Sequence, residues 1–140
     1  MTERKVNVFF YGLFMDMGVL QQRGLALSNP QVARLDGYDI EIRDRATLIL
    51  NAAETVYGMV TGLTHEEIDA LYAEPSVRDY RPEAVMVTLE DARQVPAWCY
   101  NLPQVTDARR NTAYALRLLE VAKTLAFPGA YLEKLQRLAQ

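Results

Sequence analysis

The chain has 140 residues, of which 50% are apolar and 24% are charged, and its formal net charge is −3. This composition is typical of a globular protein and argues against intrinsic disorder. A slightly acidic chain has no basic footprint, so binding to the phosphate backbone of nucleic acid is not expected. Cys99 is the only cysteine, which excludes an intramolecular disulfide and a metal site built from several cysteines.

Length and the first residues set expectations for domain number and location. A chain of this length fits one domain, residues 1–140, that buries about two-thirds of the surface exposed by its unfolded form. The residues before Val6 are polar, and the apolar run that follows is too short for a signal peptide or a membrane helix. We therefore expect a cytoplasmic protein, and the single cysteine suits a reducing compartment.

The first half of the chain predicts four strands around one short helix. Each predicted strand is an apolar run or an alternation of apolar and polar residues, and the four cover residues 6–11, 38–43, 47–50 and 56–63. The helix covers residues 17–22, and Gly24 is placed to end it. Residues 51–54 (Asn-Ala-Ala-Glu) predict a turn between the last two strands. Gly58 and Gly62 predict bulges or bends that suit a barrel-like sheet.

The second half predicts a capped helix, two strands and two closing helices. Thr64 and Glu67 fit a capping box, and the helix that it opens covers residues 66–73. Strands follow over residues 83–89 and 95–102, and apolar residues at helical spacing predict two C-terminal helices. Adjacent strands with hairpin-length links favour an antiparallel or mixed sheet. The predicted fold class is therefore α+β, a mixed, barrel-like β-sheet flanked by helices.

The turn after the first strand is a candidate ligand site. Its residues are Tyr11, Gly12, Leu13 and Phe14, and a helix opens soon after, at Asp16. A strand that breaks at a glycine and leads into a helix exposes backbone N–H groups, which suit a carboxylate or a phosphate. Glycine also lets a ligand approach the backbone closely. The alternative interpretation is an ordinary strand-to-helix turn that binds nothing.

Glu74 is the candidate for proton transfer. It lies where a helix ends before Pro75, because proline disfavours helix at the preceding residue. Its small and apolar neighbours, Ala73, Pro75 and Val77, allow the partial desolvation that suits a carboxylate that shuttles protons. The alternative interpretation is a solvated glutamate at the end of a helix.

Three segments resemble the γ-glutamylcyclotransferase family. Residues 8–12 (Val-Phe-Phe-Tyr-Gly) resemble its first strand and the Tyr-Gly-Ser loop that follows. Residues 71–80 resemble its Leu-x-x-x-Glu-Gly-x…Tyr element, in which the glutamate is the catalytic acid/base. Tyr114 and residues 122–135 resemble its C-terminal pattern of Tyr, Ala-Lys, Pro, then Tyr and Leu. The segments occur in the family's order and cover most of the chain.

The resemblance implies an activity and a set of site residues. The activity is cofactor-independent cyclotransfer on a small γ-glutamyl substrate, with release of 5-oxoproline and an amine or amino acid, and it implies no nucleic-acid or membrane partner. Glu74 is implied to be the general acid/base. The turn residues Tyr11, Gly12, Leu13 and Phe14 are implied to line the cavity for the γ-glutamyl group, with their N–H groups facing its carboxylate. Further pocket residues implied by the resemblance are Tyr80, Tyr114 and Tyr100.

Two departures from the family pattern support other hypotheses. Leu13 stands where the family usually has serine or threonine, and Pro75 replaces the glycine after the glutamate. Proline has no N–H and a fixed φ, so the reach of Glu74 can differ. The second hypothesis is a catalytically silent small-molecule binding module, and the third is amide hydrolysis, which gives glutamate instead of the lactam. The amine half of the substrate stays open among glutathione, γ-glutamyl amino acids and γ-glutamyl-lysine-type amines.

Other residues with reactive side chains have structural interpretations. Asp16 is predicted to be an N-cap, and His65 is predicted to lie on the surface at the start of a helix. A single histidine cannot support a multi-histidine metal site. Cys99 lies in an apolar strand, which favours a packed thiol over a nucleophile. Arg109 and Arg110 are predicted to be a solvated pair, and the alternative is that they bind a carboxylate.

Overall fold

The computed structural model describes residues 4–25, 27–75, 77–103 and 111–140. These residues form five strands, four α-helices and one turn of 3₁₀ helix. The strands are β1 (Lys5–Phe10), β2 (Ser28–Ile42), β3 (Ala46–Thr64), β4 (Arg81–Leu89) and β5 (Gln94–Asn101). The helices are α1 (Met17–Gln22), α2 (His65–Tyr72), α3 (Thr112–Thr124) and α4 (Gly129–Leu138), and the 3₁₀ turn covers Leu13–Met15.

The five strands close into a barrel in the order β1-β3-β2-β4-β5. Neighbouring strands run antiparallel, except that β1 and β5 pair in parallel over a short ladder. Closure satisfies the backbone groups that an open sheet would leave at its edges. The predicted α+β class with a mixed, barrel-like sheet is therefore confirmed.

The long hairpin of β2 and β3 differs from the prediction at residues 51–54. These residues do not turn the chain, because they form an exposed bulge within β3 where the ladder with β2 shifts register. Gly37 lies at the same irregularity with a φ of +87°, a value that glycine tolerates. The chain turns instead at residues 43–45, the link between the two strands. β2 also begins at Ser28, well before the predicted strand.

The second half of β1 is buried on both of its faces. Val8, Phe9 and Phe10 are each at most 3% exposed, so successive residues are buried although their side chains alternate in direction. The neighbouring β3 approaches closely, since a Cβ on Gly58 would lie 2.2 Å from the carbonyl oxygen of Phe10. At Gly58, where a bulge or bend is predicted, the structure has a close approach of two backbones. The β2–β3 ladder is irregular beside the other predicted position, Gly62.

The helix ends follow the predicted capping residues. Asp16 caps α1 by accepting a backbone N–H at 3.0 Å, and Gly24 follows the helix with a φ of +81°. Thr64 and Glu67 complete the capping box, with hydrogen bonds of 2.9 and 3.1 Å. The box fixes where α2 begins, and the far end of α2 leads directly into Glu74.

The last two helices pack through apolar stripes. The buried residues of α3 are the predicted ones, Ala115, Leu118, Leu119 and Ala122. In α4, the Tyr131 ring centroid lies 5.2 Å from that of Tyr57 in β3. Lys134 pairs with Asp39 of β2 at 2.9 Å and with Glu54 of β3 at 2.5 Å. These contacts hold the helix pair against the barrel.

Candidate active site

The turn after β1 lies directly against α3. Gly12 precedes the 3₁₀ turn, and the first amides of a helical turn have no carbonyl acceptor within that turn. A Cβ on Gly12 would lie 2.7 Å from the hydroxyl oxygen of Tyr114 and 3.8 Å from the Cβ of Ala46. Leu13 N–H donates to the same hydroxyl oxygen at 3.3 Å. Glycine at this position therefore allows the close approach of Tyr114, whose hydroxyl would have to move to make room for a side chain.

A cavity of about 330 Å³ opens beside this turn. Its walls come from β1 and the turn, α1, the β2–β3 link, the start of β3, α2 and the segment that follows it, β5 and α3. Half of the described lining residues are aromatic: Phe9, Phe10, Tyr11, Phe14, Tyr72, Tyr80, Tyr100 and Tyr114. All four predicted turn residues and the three other predicted tyrosines line this cavity. The fold therefore brings together residues that are far apart in the chain, in a space of the size that small-molecule sites have.

Hydrogen bonds and ring stacking hold the aromatic walls in place. The Tyr80 hydroxyl donates a hydrogen bond to the carbonyl oxygen of Ala46, the first residue of β3. Tyr11 donates to the carbonyl of Tyr100 in β5 at 2.8 Å. The rings of Tyr72 and Tyr100 stack with centroids 4.1 Å apart and an interplanar angle of 16°. These contacts tie α2, β5 and the turn to one preformed wall.

Burial keeps the phenol groups of the cavity neutral. Desolvation raises the pKa of every lining tyrosine: Tyr11, Tyr72, Tyr80, Tyr100 and Tyr114. At Tyr114 the backbone N–H groups of Leu13 and Ala46 oppose the rise in pKa, and the positive charges of Arg45 and Arg117 oppose it too. At neutral pH these phenols therefore do not accept protons as phenolates.

Glu74 lies at the rim of the cavity, outside the set of described residues that line it. The chain after α2 places it between Tyr72 and Val77, which both line the cavity. Its side chain is 42% exposed, and Oε2 is covered by protein atoms and lies 2.5 Å from Nη1 of Arg23. The Arg23 guanidinium in turn lies 5.4 Å from the ring centroid of Phe14. The Glu74 carboxylate thus contacts a residue of the cavity lining, Arg23.

The charged residues of the lining have no signal in the sequence. Three arginines line the cavity: Arg23 directly after α1, Arg45 in the β2–β3 link and Arg117 in α3. No spacing in the sequence connects them, because only the fold brings these three elements together. Tyr72 is also missed as a site residue, although its position two residues before Glu74 is a signal that points to it.

The remaining candidates have the predicted structural environments where they are described. His65 is exposed at the start of α2. Cys99 is buried, and desolvation raises the pKa of its thiol, which disfavours the nucleophilic thiolate. Arg109 and Arg110 lie outside the described residues. Within the described ranges, no group of three or more His, Cys, Asp or Glu side chains is placed to hold a metal ion.

The architecture and the site define a class: a small closed barrel, flanked by helices, with an aromatic cavity beside the turn that follows the first strand. The family model described as gamma-glutamyl cyclotransferase, AIG2-like, matches residues 8–118. This match runs from β1 into α3 and includes the turn, Glu74 and the aromatic walls. The chain therefore belongs to this family. Across the described residues, no helix is long and apolar enough to cross a membrane.

Solved structures share the fold at low sequence identity. A gamma-glutamyl cyclotransferase matches with a TM-score of 0.80 and 19% identity, over 95% of this chain and 87% of its own. An uncharacterized protein from Homo sapiens matches with a TM-score of 0.78 and 20% identity, over 96% and 88%. YkqA from Bacillus subtilis has a TM-score of 0.80 and 22% identity, over 98% of this chain and 55% of its own. No curated protein sequence matches the chain.

Proposed function

We propose that the chain is a cofactor-independent γ-glutamyl cyclotransferase that releases 5-oxoproline and an amine or amino acid, with Glu74 as general acid/base. The observation that carries the proposal is the shared cavity. The turn after β1 lines it, and Glu74 stands at its rim, 2.5 Å from the lining residue Arg23. Family membership and the fold shared with a gamma-glutamyl cyclotransferase support this activity.

The reaction requires the substrate to fold back on itself. Its α-amine attacks its own γ-carbonyl carbon, so that a new C–N bond closes the lactam while the original amide C–N bond breaks. The α-ammonium group must lose a proton before the attack, and the leaving nitrogen must gain one. A single carboxylate can perform both transfers in turn. Holding the substrate in the curled conformation contributes to the rate through proximity.

The residues of the chain divide this work between them. Leu13 N–H already donates to the Tyr114 hydroxyl, so the α-carboxylate of the substrate takes the other backbone amides at the start of the 3₁₀ turn. The lining phenols do not compete as bases, because burial raises their pKa. No Asp or Glu is among the described lining residues, and Glu74 contacts the lining residue Arg23 at 2.5 Å. Glu74 is therefore the proton acceptor in this proposal.

The test is direct detection of 5-oxoproline. Purified protein is incubated with γ-glutamyl amino acids and γ-glutamyl amines, and the products are separated by chromatography. Glu74→Gln is expected to lower kcat by about 10²- to 10⁴-fold, the usual contribution of a general acid/base. The free energy of unfolding should fall by less than about 1 kcal/mol, because only an exposed ion pair is lost. Glu133→Gln, on an exposed position of α4, is the matched control and retains activity. Full activity of Glu74→Gln would refute the acid/base role, and absence of 5-oxoproline from every substrate would refute the activity.

A second candidate function is a binding module without catalysis. The half-exposed position of Glu74, outside the cavity wall and paired with Arg23, favours it, as do Leu13 and Pro75 in the two motifs. This candidate predicts that γ-glutamyl ligands raise the Tm while no product forms. If free glutamate appears in place of the lactam, the reaction is hydrolysis.

A further inference from the structure

The cavity has more positive charge than its proposed γ-glutamyl ligand requires. The charged residues among its described lining are all arginines: Arg23, Arg45 and Arg117. Arg23 is balanced by Glu74 at 2.5 Å. The γ-glutamyl head group contributes no net charge, because its ammonium and carboxylate groups cancel. Neither Glu74 nor the γ-glutamyl ligand therefore neutralises the charges of Arg45 and Arg117.

Arg45 is held in place but poorly neutralised. Its guanidinium lies 5.3 Å from the ring centroid of Tyr80, and its side chain is only 22% exposed. Its nearest acidic partner is Asp79, at 3.9 Å, which is beyond hydrogen-bond distance, and the Asp79 side chain is 65% exposed. Nη1 is covered by protein atoms and has no hydrogen-bond acceptor among the described residues. A partly buried guanidinium with free donors is stabilised by any anion that reaches it.

Arg117 faces the same corner of the cavity from α3. It lies three residues after Tyr114, which places both side chains on one side of the helix. It makes no ion pair with the residues that the structure describes. The charges of Arg45 and Arg117 both act on the Tyr114 hydroxyl, which also accepts the N–H of Leu13. Arg45 and Arg117 thus line the same cavity as Tyr114, Arg45 from the β2–β3 link and Arg117 from an exposed position of α3.

We propose that Arg45 and Arg117 form a second anion subsite, which binds a carboxylate on the amine half of the substrate. The inference rests on the proposed function and deepens it, because it selects among the amine halves. The chain then prefers γ-glutamyl conjugates of amino acids, which carry a second carboxylate, over conjugates of uncharged amines. A planar guanidinium suits this role, since it can donate two parallel hydrogen bonds to one carboxylate.

The test compares two substrates that differ only in this carboxylate: γ-glutamyl-alanine and γ-glutamyl-ethylamine. The readout is kcat/KM where 5-oxoproline forms, and the Kd from calorimetry where no product forms. A charge-assisted contact predicts a preference of about ten- to a hundredfold for the alanine conjugate. Salt in the assay lowers this preference, because it screens charges that are partly exposed.

Arginine variants locate the preference in the proposed subsite. Arg45→Gln and Arg117→Gln are expected to bring the ratio of the two conjugates close to one, whereas Arg45→Lys keeps part of it. Arg93→Gln, in the exposed β4–β5 turn, is the matched control and keeps the full ratio. Unfolding curves check that each variant is folded, and the ratio between two substrates is insensitive to a loss of active protein.

The outcomes separate this inference from the proposed function. Equal constants for the two conjugates overturn the subsite even if 5-oxoproline forms from both. A preference that survives both arginine variants also overturns it. A preference in Kd without any product supports the subsite while the cyclotransferase proposal fails. If neither conjugate binds or reacts, both proposals fail.

Discussion

The cavity has a deep wall and a rim, and they are built from different interactions. In the deep wall, Gly12, Tyr114 and Tyr80 are uncharged and are fixed by close approach and by hydrogen bonds to backbone. At the rim, Glu74 and Arg23 are charged, 42% and 36% exposed, and held by one ion pair. These wall residues therefore set the shape of the site, while the rim carries the proposed acid/base and its ion-pair partner. Changes in the wall should affect stability, and changes at the rim should affect chemistry.

The largest expected effect lies behind the deep wall, at Gly58. Its added Cβ would lie 2.2 Å from the carbonyl oxygen of Phe10 and 2.9 Å from the ring of Phe9, and both residues line the cavity. Because the first contact is backbone, Gly58→Ala is expected to lower the free energy of unfolding by about 3 kcal/mol. Urea unfolding measures the loss. Gly62→Ala in the same strand meets its nearest atom at 3.4 Å and is the control, so equal losses in the two variants would contradict the assignment.

A coupled effect is expected between Gly12 and Tyr114. Gly12→Ala places a Cβ 2.7 Å from the Tyr114 hydroxyl oxygen, and the expected loss of stability is about 1–3 kcal/mol. Tyr114→Phe removes that oxygen, and it also leaves Leu13 N–H without its acceptor, at a cost of about 1 kcal/mol. The double variant should therefore be more stable than the sum of the two losses implies. Strict additivity in the double-mutant cycle would show that the two residues do not touch.

The buried phenols of the wall predict a loss of stability at alkaline pH. Desolvation raises the pKa of Tyr11, Tyr72 and Tyr80 in the folded protein, while in the unfolded chain tyrosine ionises near pH 10 (about its usual pKa). The stability that the neutral phenols give to the folded protein is therefore fully present below about pH 10. As the pH rises above 10, the free energy of unfolding falls by about 1.4 kcal/mol per pH unit for each buried phenol. Urea unfolding at pH 9, 10 and 11 measures the slope. In Tyr72→Phe the slope should be shallower, and a slope equal to that of the wild-type chain would be evidence against burial of this phenol.

Local signals in the sequence predict the helix starts well and the long hairpin less well. Asp16 and the Thr64 box act within a few residues of the helix that they cap, so the sequence alone contains the whole interaction. Residues 51–54 have the composition of a turn, yet they form a bulge in β3, beside the irregularity at Gly37 in β2. A bulge depends on the partner strand, and the partner is not visible in a local pattern.

In the candidate site, too, the residues with a local sequence signal are predicted, and those that depend on distant contacts are not. The turn residues are predicted from the break after the first strand, and Tyr80, Tyr100 and Tyr114 are implied by the family resemblance. The structure places all of them around one cavity. Arg45 and Arg117 have no such signal, because a cation in a link and another on an exposed helix face are ordinary surface patterns. Closure of the barrel and the packing of α3 bring them together. The rim position of Glu74 likewise depends on where α2 ends relative to α1, which no residue spacing specifies.

The smallest expected change in stability is at the rim. Arg23 and Glu74 are both more than a third exposed, and exposed ion pairs contribute only about 0.2–1 kcal/mol. Arg23→Gln should therefore lower the free energy of unfolding by less than about 1 kcal/mol, similar to Arg34→Gln, which removes another exposed pair, with Asp36. In the cyclotransferase assay, however, Arg23→Gln should change kcat/KM while Arg34→Gln should not, because only Arg23 lines the cavity and contacts the proposed acid/base. A stability loss in Arg23→Gln as large as that in Gly58→Ala would show that the rim is part of the wall and that the distinction between them is wrong.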